Sequence, residues 1–297
     1  MTDVLKQFAQ EHVEKINQEM ATAIQAHTTE KSLLESMSYS VEAGGKRLRP
    51  LLLLATQEFL GKPLTKGSYQ VAAALEMIHT YSLIHDDLPA MDNDELRRGK
   101  PTNHMVYGEG LAILAGDALL TEAFHVVGEG ELSDEQKVWT LTNLAKASGS
   151  YGMIAGQVAD IEGETKSLTL SELQRVHARK TGALIEFAVA AGAMLADATS
   201  EVMAALAEYS HHFGIAFQIK DDLLDVIGDE AVIGKKTGMD AELNKTTYTS
   251  LLGVAGAQQS LKEHYEEAIA IIERVEKLTN RENAGAVLKA MIQTLID

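Results

Sequence analysis

A chain of 297 residues can bury one large helical core or two closely packed ones. Its formal net charge of −17 argues against broad nucleic-acid binding, because a polyanion would meet a repulsive mean field. The absence of cysteine excludes disulfides, zinc ribbons and thiol nucleophiles and fits a reducing cytoplasm. No uncharged run approaches the roughly 20 residues of a membrane span, and residues 1–20 are interrupted throughout by polar groups. The expectation is a soluble, untargeted, cytoplasmic protein without stable membrane anchoring.

Four prolines, Pro50, Pro63, Pro89 and Pro101, leave everything after Pro101 free of the strongest helix breaker. Helical periodicity runs through VAAALEMIHTYSLIHDD from Val71, where Leu75, Ile78 and Ser82 share offsets. It recurs in LAILAGDALLTEAFHVV, LQRVHARKTGALIEFAVAAGAML, VMAALAEYSHHFGIAFQIKDDLLDVI and AIAIIERVEKL. No segment sustains a period-two alternation. The predicted fold is all-α, with turns at Ala43-Gly44-Gly45, Gly61-Lys62-Pro63, Arg98-Gly99-Lys100-Pro101, Gly128-Glu129-Gly130, Gly163-Glu164 and Gly228-Asp229-Glu230.

Basic residues are bunched despite the acidic total. Gly44-Gly45-Lys46-Arg47-Leu48-Arg49-Pro50 pairs close backbone approach with guanidinium forks suited to phosphate oxygens. Arg97-Arg98 with Lys100 and Lys235-Lys236 form further clusters. Each cluster taken singly also fits a solvated turn. No Walker loop or complete dinucleotide fingerprint occurs, since Ile113 stands where the third glycine after Gly108 and Gly110 would be needed.

Two aspartate segments carry the chemistry. In Asp86-Asp87-Leu88-Pro89-Ala90-Met91-Asp92 an uninterrupted helix would set Asp86 and Asp92 roughly 240° apart. Pro89 is expected to end the helix just after Asp87 and let Met91-Asp92 fold back. In Asp221-Asp222-Leu223-Leu224-Asp225 the outer carboxylates lie one turn apart, repelling each other unless a cation sits between them. Hard oxygen donors, few per ion, suit magnesium completed by water and phosphate. The apolar flanks Phe217-Gln218-Ile219 and Val226-Ile227 make a purely solvated acidic face less favoured. Lys180-Thr181 within an apolar helix is either a snorkelling lysine or a charge with an anion to meet. His211 and His212 point about 100° apart on a helix and cannot easily share a metal.

In this order, from about Glu42 to Tyr248, these motifs resemble the trans-isoprenyl diphosphate synthases. The Pro89-Ala90 insertion, with Tyr81 five residues before Asp86, is most similar to the bacterial farnesyl diphosphate synthases. The resemblance implies a single polyprenyl synthetase domain over 1–297, an all-α helical bundle around a central cavity, and a homodimer. It implies that Asp86, Asp87 and Asp92 bind magnesium on one wall and Asp221 and Asp225 on the other, with three ions per site. Arg97, Lys180, Lys235 and Lys245 would hold the allylic diphosphate, and Lys46, Arg49, His79 and Arg98 isopentenyl diphosphate. Thr181 and Gln218 would turn oxygens towards the allylic cation, and Gly156-Gln157 with Asp160 would support the metal site.

The implied reaction condenses dimethylallyl and geranyl diphosphates with isopentenyl diphosphate to farnesyl diphosphate. Tyr81, with Ser82 one turn below Asp86, would floor the pocket; geranylgeranyl diphosphate is the alternative product. A terpene cyclase is disfavoured by the Gly44–Pro50 segment, and a non-catalytic partner subunit by two intact aspartate motifs.

Overall fold

The computed structural model describes residues 2–163, 165–228 and 245–297. The Lys235 and Lys236 cluster lies outside the described residues. As expected, the described chain is all-α: its β structure is one two-residue ladder, β1 (Leu96–Arg97) with β2 (Lys100–Pro101), paired antiparallel.

Contacts group the chain into two compact units. The first, built from residues 9–54 and 63–142, holds most of α1 (Asp3–His27), α2 (Lys31–Glu42), the start of α3 (Leu48–Phe59), α4 (Lys66–Asp86), the ladder, α5 (Asn103–Tyr107), α6 (Glu109–Glu129) and the start of α7 (Asp134–Ser148). The second, from 1–8, 55–62 and 143–297, holds α8 (Met153–Gly163), α9 (Leu170–His177), α10 (Ala183–Leu195), α11 (Ser200–Ile227), α12 (Tyr248–Thr279) and α13 (Ala286–Gln293).

In the first unit α1 presents Ile16, Met20 and Ile24 one turn apart, all buried. Each such side chain contributes about 1.5–3 kcal/mol on burial. α4 begins with a capping box in which Thr65 and Ser68 satisfy each other's backbone amides, and from Val71 to Ile78 it is buried on every side. That leaves its C-terminal third, His79 to Asp86, to carry the polar groups. Gly116 of α6 meets the ring of His85 so closely that a Cβ there would collide with it, so the lack of a side chain permits the approach of α4 and α6.

α6 is long and apolar enough to cross a membrane by length and composition, with mean hydropathy 1.5. It is not an uncharged run, since Asp117 and Glu122 stand in its middle, where a bilayer would penalise them.

One sequence expectation changes. The continuous helix from Leu173 to Leu195 is broken by a π-helical turn, Ala178–Gly182, between α9 and α10. Such bulges shift the hydrogen-bond register by one residue and re-aim side chains. This one re-aims Lys180 and Thr181.

Candidate active site

In the first unit α4 stops where Pro89 predicts. The Leu88 amide donates to His85 O at 3.2 Å, Met91 and Asn93 amides return to Leu88 O, and the Asp92 amide donates to Asp86 O at 2.9 Å. Asn93 takes the left-handed conformation (φ 53°), which asparagine tolerates better than other side chains with a Cβ. The chain therefore doubles back on the end of α4, and Asp92 remains exposed while Asp86 is half-buried.

The three carboxylates of this motif are not equivalent. Asp87 is 3% exposed and accepts from Arg97 Nε at 2.6 Å. Burial pushes its pKa up, and the Arg97 guanidinium opposes that shift. The first-motif ligand atoms form no three-residue cage among the described residues. Magnesium needs none: it characteristically keeps its waters and takes one or two carboxylates plus substrate phosphates. Asp86 and Asp92 fit that requirement.

Two basic residues of the same unit, Arg47 and Arg49, reach side chains of α4. Arg47, with left-handed backbone (φ 48°), is buried and bonds Glu76 Oε1 at 3.0 Å, Asn17 Oδ1 at 2.9 Å, Val41 O at 2.6 Å and Gly44 O at 3.2 Å. It is the internal post of the Gly44–Pro50 loop. Arg49 Nη1 lies 3.4 Å from His79 Nε2, and a guanidinium has only donors, so Nε2 accepts and the ring proton sits on Nδ1. Burial, then Arg49 and the neighbouring guanidinium groups, hold the His79 pKa well below its usual range, so the ring is neutral. A Cβ on Gly45 would stand 2.6 Å from Arg98 Nη1. Gly45, with φ 134°, leaves the space in which the guanidinium of Arg98 lies against the loop that carries Lys46. Of the four residues that the resemblance gives to isopentenyl diphosphate, Arg49 meets His79 and Arg98 lies against Gly45, the neighbour of Lys46.

The second unit holds the other motif. On α11 Asp221 is exposed whereas Asp225 is 5% exposed, so the two carboxylates of one face differ in access. Asp222 serves the scaffold: Oδ1 accepts from Gln218 Nε2 at 3.0 Å and Oδ2 from the Tyr248 amide at 2.7 Å. Gln218 Oε1 in turn accepts from Thr181 Oγ1 at 3.3 Å. A relay from Thr181 through Gln218 to Asp222 fixes the amide's orientation. Val226 and Ile227, whose apolar character weighs against a purely solvated acidic face, are themselves exposed.

Lys180 Nζ meets Asp160 Oδ2 at 2.6 Å. Gly156 of α8 allows this, because a Cβ there would collide with the backbone nitrogen of Lys180. Lys180, Lys245, Gln218, Asp160, Asp222 and His177 line one pocket. Burial lowers the His177 pKa to about 4, leaving lysines as its cations at neutral pH. Sequence reasoning missed His177 and the scaffold roles of Asp222 and the Arg47–Glu76 pair. Glu76, a lone acid inside an apolar run, was the available signal for that pair.

Guanidinium and ammonium groups beside carboxylate pairs suit a polyphosphate substrate carried by divalent cations. Known proteins with this arrangement of sequence were found along nearly the whole chain. The chain is 50% identical over 269 residues to farnesyl diphosphate synthase of Geobacillus stearothermophilus, covering 89% of this chain and 90% of that protein. It is 48% identical over 275 residues to farnesyl diphosphate synthase of Bacillus subtilis, covering 92% and 93%. Among solved structures, an FPP/GFPP synthase from Zymomonas mobilis superposes with TM-score 0.87 at 34% identity over 100% of both chains. A geranyltransferase from Legionella pneumophila gives TM-score 0.86 at 30% identity, over 99% of this chain and 96% of that one. The polyprenyl synthetase family model matches residues 30–281, and the chain belongs to that family.

Proposed function

We propose that this protein is a magnesium-dependent prenyltransferase that condenses dimethylallyl and then geranyl diphosphate with isopentenyl diphosphate to give farnesyl diphosphate. The observation that carries the reading is the backfold that returns Asp92 to Asp86 at the end of α4, the helix that also sets His79 against Arg49. A metal-ligand pair at the end of one helix and one member of the anion subsite on that helix thus lie about two turns apart.

Asp86 and Asp92, with Asp87 once Arg97 is drawn to phosphate, and Asp221 with Asp225 are the residues that would hold magnesium, three ions per site in this reading. The bound metal supplies charge neutralisation that makes diphosphate a leaving group. Arg97, Lys180, Lys245 and, outside the described residues, Lys235 bind the oxygens of the allylic diphosphate and stabilise the charge that develops as its carbon–oxygen bond breaks. Lys46, Arg49 and Arg98 hold isopentenyl diphosphate, with neutral His79 completing its hydrogen bonds. Its double bond then attacks the allylic carbon to form the new carbon–carbon bond. The Thr181–Gln218 relay keeps an oxygen dipole towards the cation. A proton is lost to the released diphosphate, the nearest strong acceptor without a side-chain base in evidence.

The farnesyl product, over geranylgeranyl, is favoured by Tyr81. It is 5% exposed, its hydroxyl has no hydrogen-bond partner among the described residues, and its ring meets His85 edge-on at 5.8 Å. Burial, then Asp86, raises its pKa to about 12, so it remains a neutral phenol that can end a hydrophobic pocket. We further read the protein as a cytoplasmic homodimer, for which the exposed Ile113 and Leu114 of α6 offer an apolar contact face.

Removing magnesium with a chelator and restoring it should abolish and then recover turnover. Asp86→Ala and Asp221→Ala variants should each lose it even at saturating magnesium; full activity in both would sink the proposal.

A further inference from the structure

The first unit carries a second ligand cluster, remote in sequence from both aspartate motifs. His27, the last residue of α1, places Nδ1 2.6 Å from Glu122 Oε1 on α6. His125, one turn further along α6, places Nδ1 3.6 Å from the other oxygen of the same carboxylate. The two imidazole rings stand 4.3 Å apart between centroids, tilted by 54°. One ligand atom from each of the three residues lies within 4.8 Å of the others.

We propose that His27, Glu122 and His125 form a site for a borderline-soft divalent cation of the zinc type, clipping the end of α1 to α6. Three features of the cluster argue for it. Two nitrogens and one carboxylate oxygen are a donor set that zinc accepts and magnesium does not prefer. Ligand atoms around tetrahedral zinc stand roughly 3.3 Å apart, given bonds of about 2.0–2.1 Å. The His125–Glu122 separation is already near that spacing, and a cation entering between His27 and Glu122 would replace their hydrogen bond with a small outward rotation.

The electrostatics agree with the donor set. The Glu122 side chain is 12% exposed, and its described ion pairs are with these two imidazoles, not with lysine or arginine. His27 sits at the negative end of the dipole of a 25-residue helix, which favours a cation there. Both histidines are exposed, so a metal has direct access and water can complete the coordination. Glu122 and His125, three apart on one helix, share a face, and His27 supplies the arm from another element.

The test uses the full-length protein, stripped with a chelator and returned to excess magnesium so that the aspartate motifs are occupied by their own ion. Cobalt(II) is titrated as a spectroscopic substitute, and zinc is then added to displace it. The expected result is one cobalt bound per chain with a visible band of a nitrogen-ligated site, displaced by zinc. His27→Ala and His125→Ala should each weaken binding by more than the roughly 10–100-fold typical of losing only a supporting contact. Their magnesium-dependent farnesyl synthesis should stay unchanged. No such band in the parent protein, or a band equally strong in both variants, overturns the proposal. Because turnover is measured with magnesium alone, a failed metal site and a failed catalytic reading are separable.

Discussion

The Asp92 amide donates to the carbonyl oxygen of Asp86 at 2.9 Å, across an intervening proline. This single bond brings residues six apart to the same helix end. The carboxylate and the turn can be separated by substitution. Asp92→Asn keeps the amide bond and removes the metal-binding charge, so turnover should fall by about 10²-fold or more with little change in thermal stability. Asn93→Val instead forces a β-branched residue into the left-handed region and should lose about 1–2 kcal/mol of stability. Steady-state kinetics and thermal melts of the two variants check the separation.

The Arg47–Glu76 pair, with side chains 2% and 3% exposed, should behave as an internal post. Glu76→Ala leaves a buried guanidinium without its charge partner and should destabilise by about 3–5 kcal/mol. The double variant Arg47→Met with Glu76→Leu should recover part of that loss. Denaturant midpoints of the three variants make the comparison.

Gly156 and Gly110 give a matched pair for the Lys180 turn. Alanine at 156 must displace the backbone of Lys180, whereas a Cβ at Gly110 meets nothing within 4 Å. Gly156→Ala should lower kcat by about 10²-fold, in keeping with misplacement of a charge-stabilising group. Gly110→Ala should leave kcat near the parent value.

Acid sensitivity should arise from histidines held neutral. His264, whose Nδ1 lies 2.9 Å from His212 Nδ1, has its pKa lowered to about 4 by burial and by the neighbouring His212 and His211. His177 is lowered to about 4 chiefly by burial. The unfolded chain protonates these rings near 6.5, so between about 6.5 and about 4 it binds more protons than the folded one. Stability should therefore fall as pH drops through that window and hold above it. Melting temperatures at pH 7 and 5 should show the fall, and His264→Gln should shallow it.

Tyr81→Ala should open the pocket floor and move products from fifteen towards twenty carbons. An unchanged distribution, read by chromatography of the dephosphorylated products, would place the floor elsewhere.

Local rules reached some of these features and not others. Pro89 lacks a donor and restricts its predecessor, so the end of α4 was legible from two residues. Helix content was legible from periodicity, because the apolar faces of α4, α6 and α11 are long. The π-helical turn at Lys180 was not, since it depends on α8 approaching through Gly156, a contact between elements. From spacing alone His211 and His212 read as packing or surface residues, and the hydrogen-bond partner of His212 is His264 on α12, a residue 52 positions away. The His27–Glu122–His125 cluster escaped for the same reason, its members being 95 residues apart at the widest hydrogen bond.

The most direct test of the central claim is product analysis of the purified chain incubated with isopentenyl diphosphate, magnesium and, in separate reactions, dimethylallyl or geranyl diphosphate. The account predicts farnesyl diphosphate as the end product from both starters, with one diphosphate released per five-carbon addition. Absence of any elongated product, or accumulation of geranylgeranyl diphosphate from either starter, would contradict it.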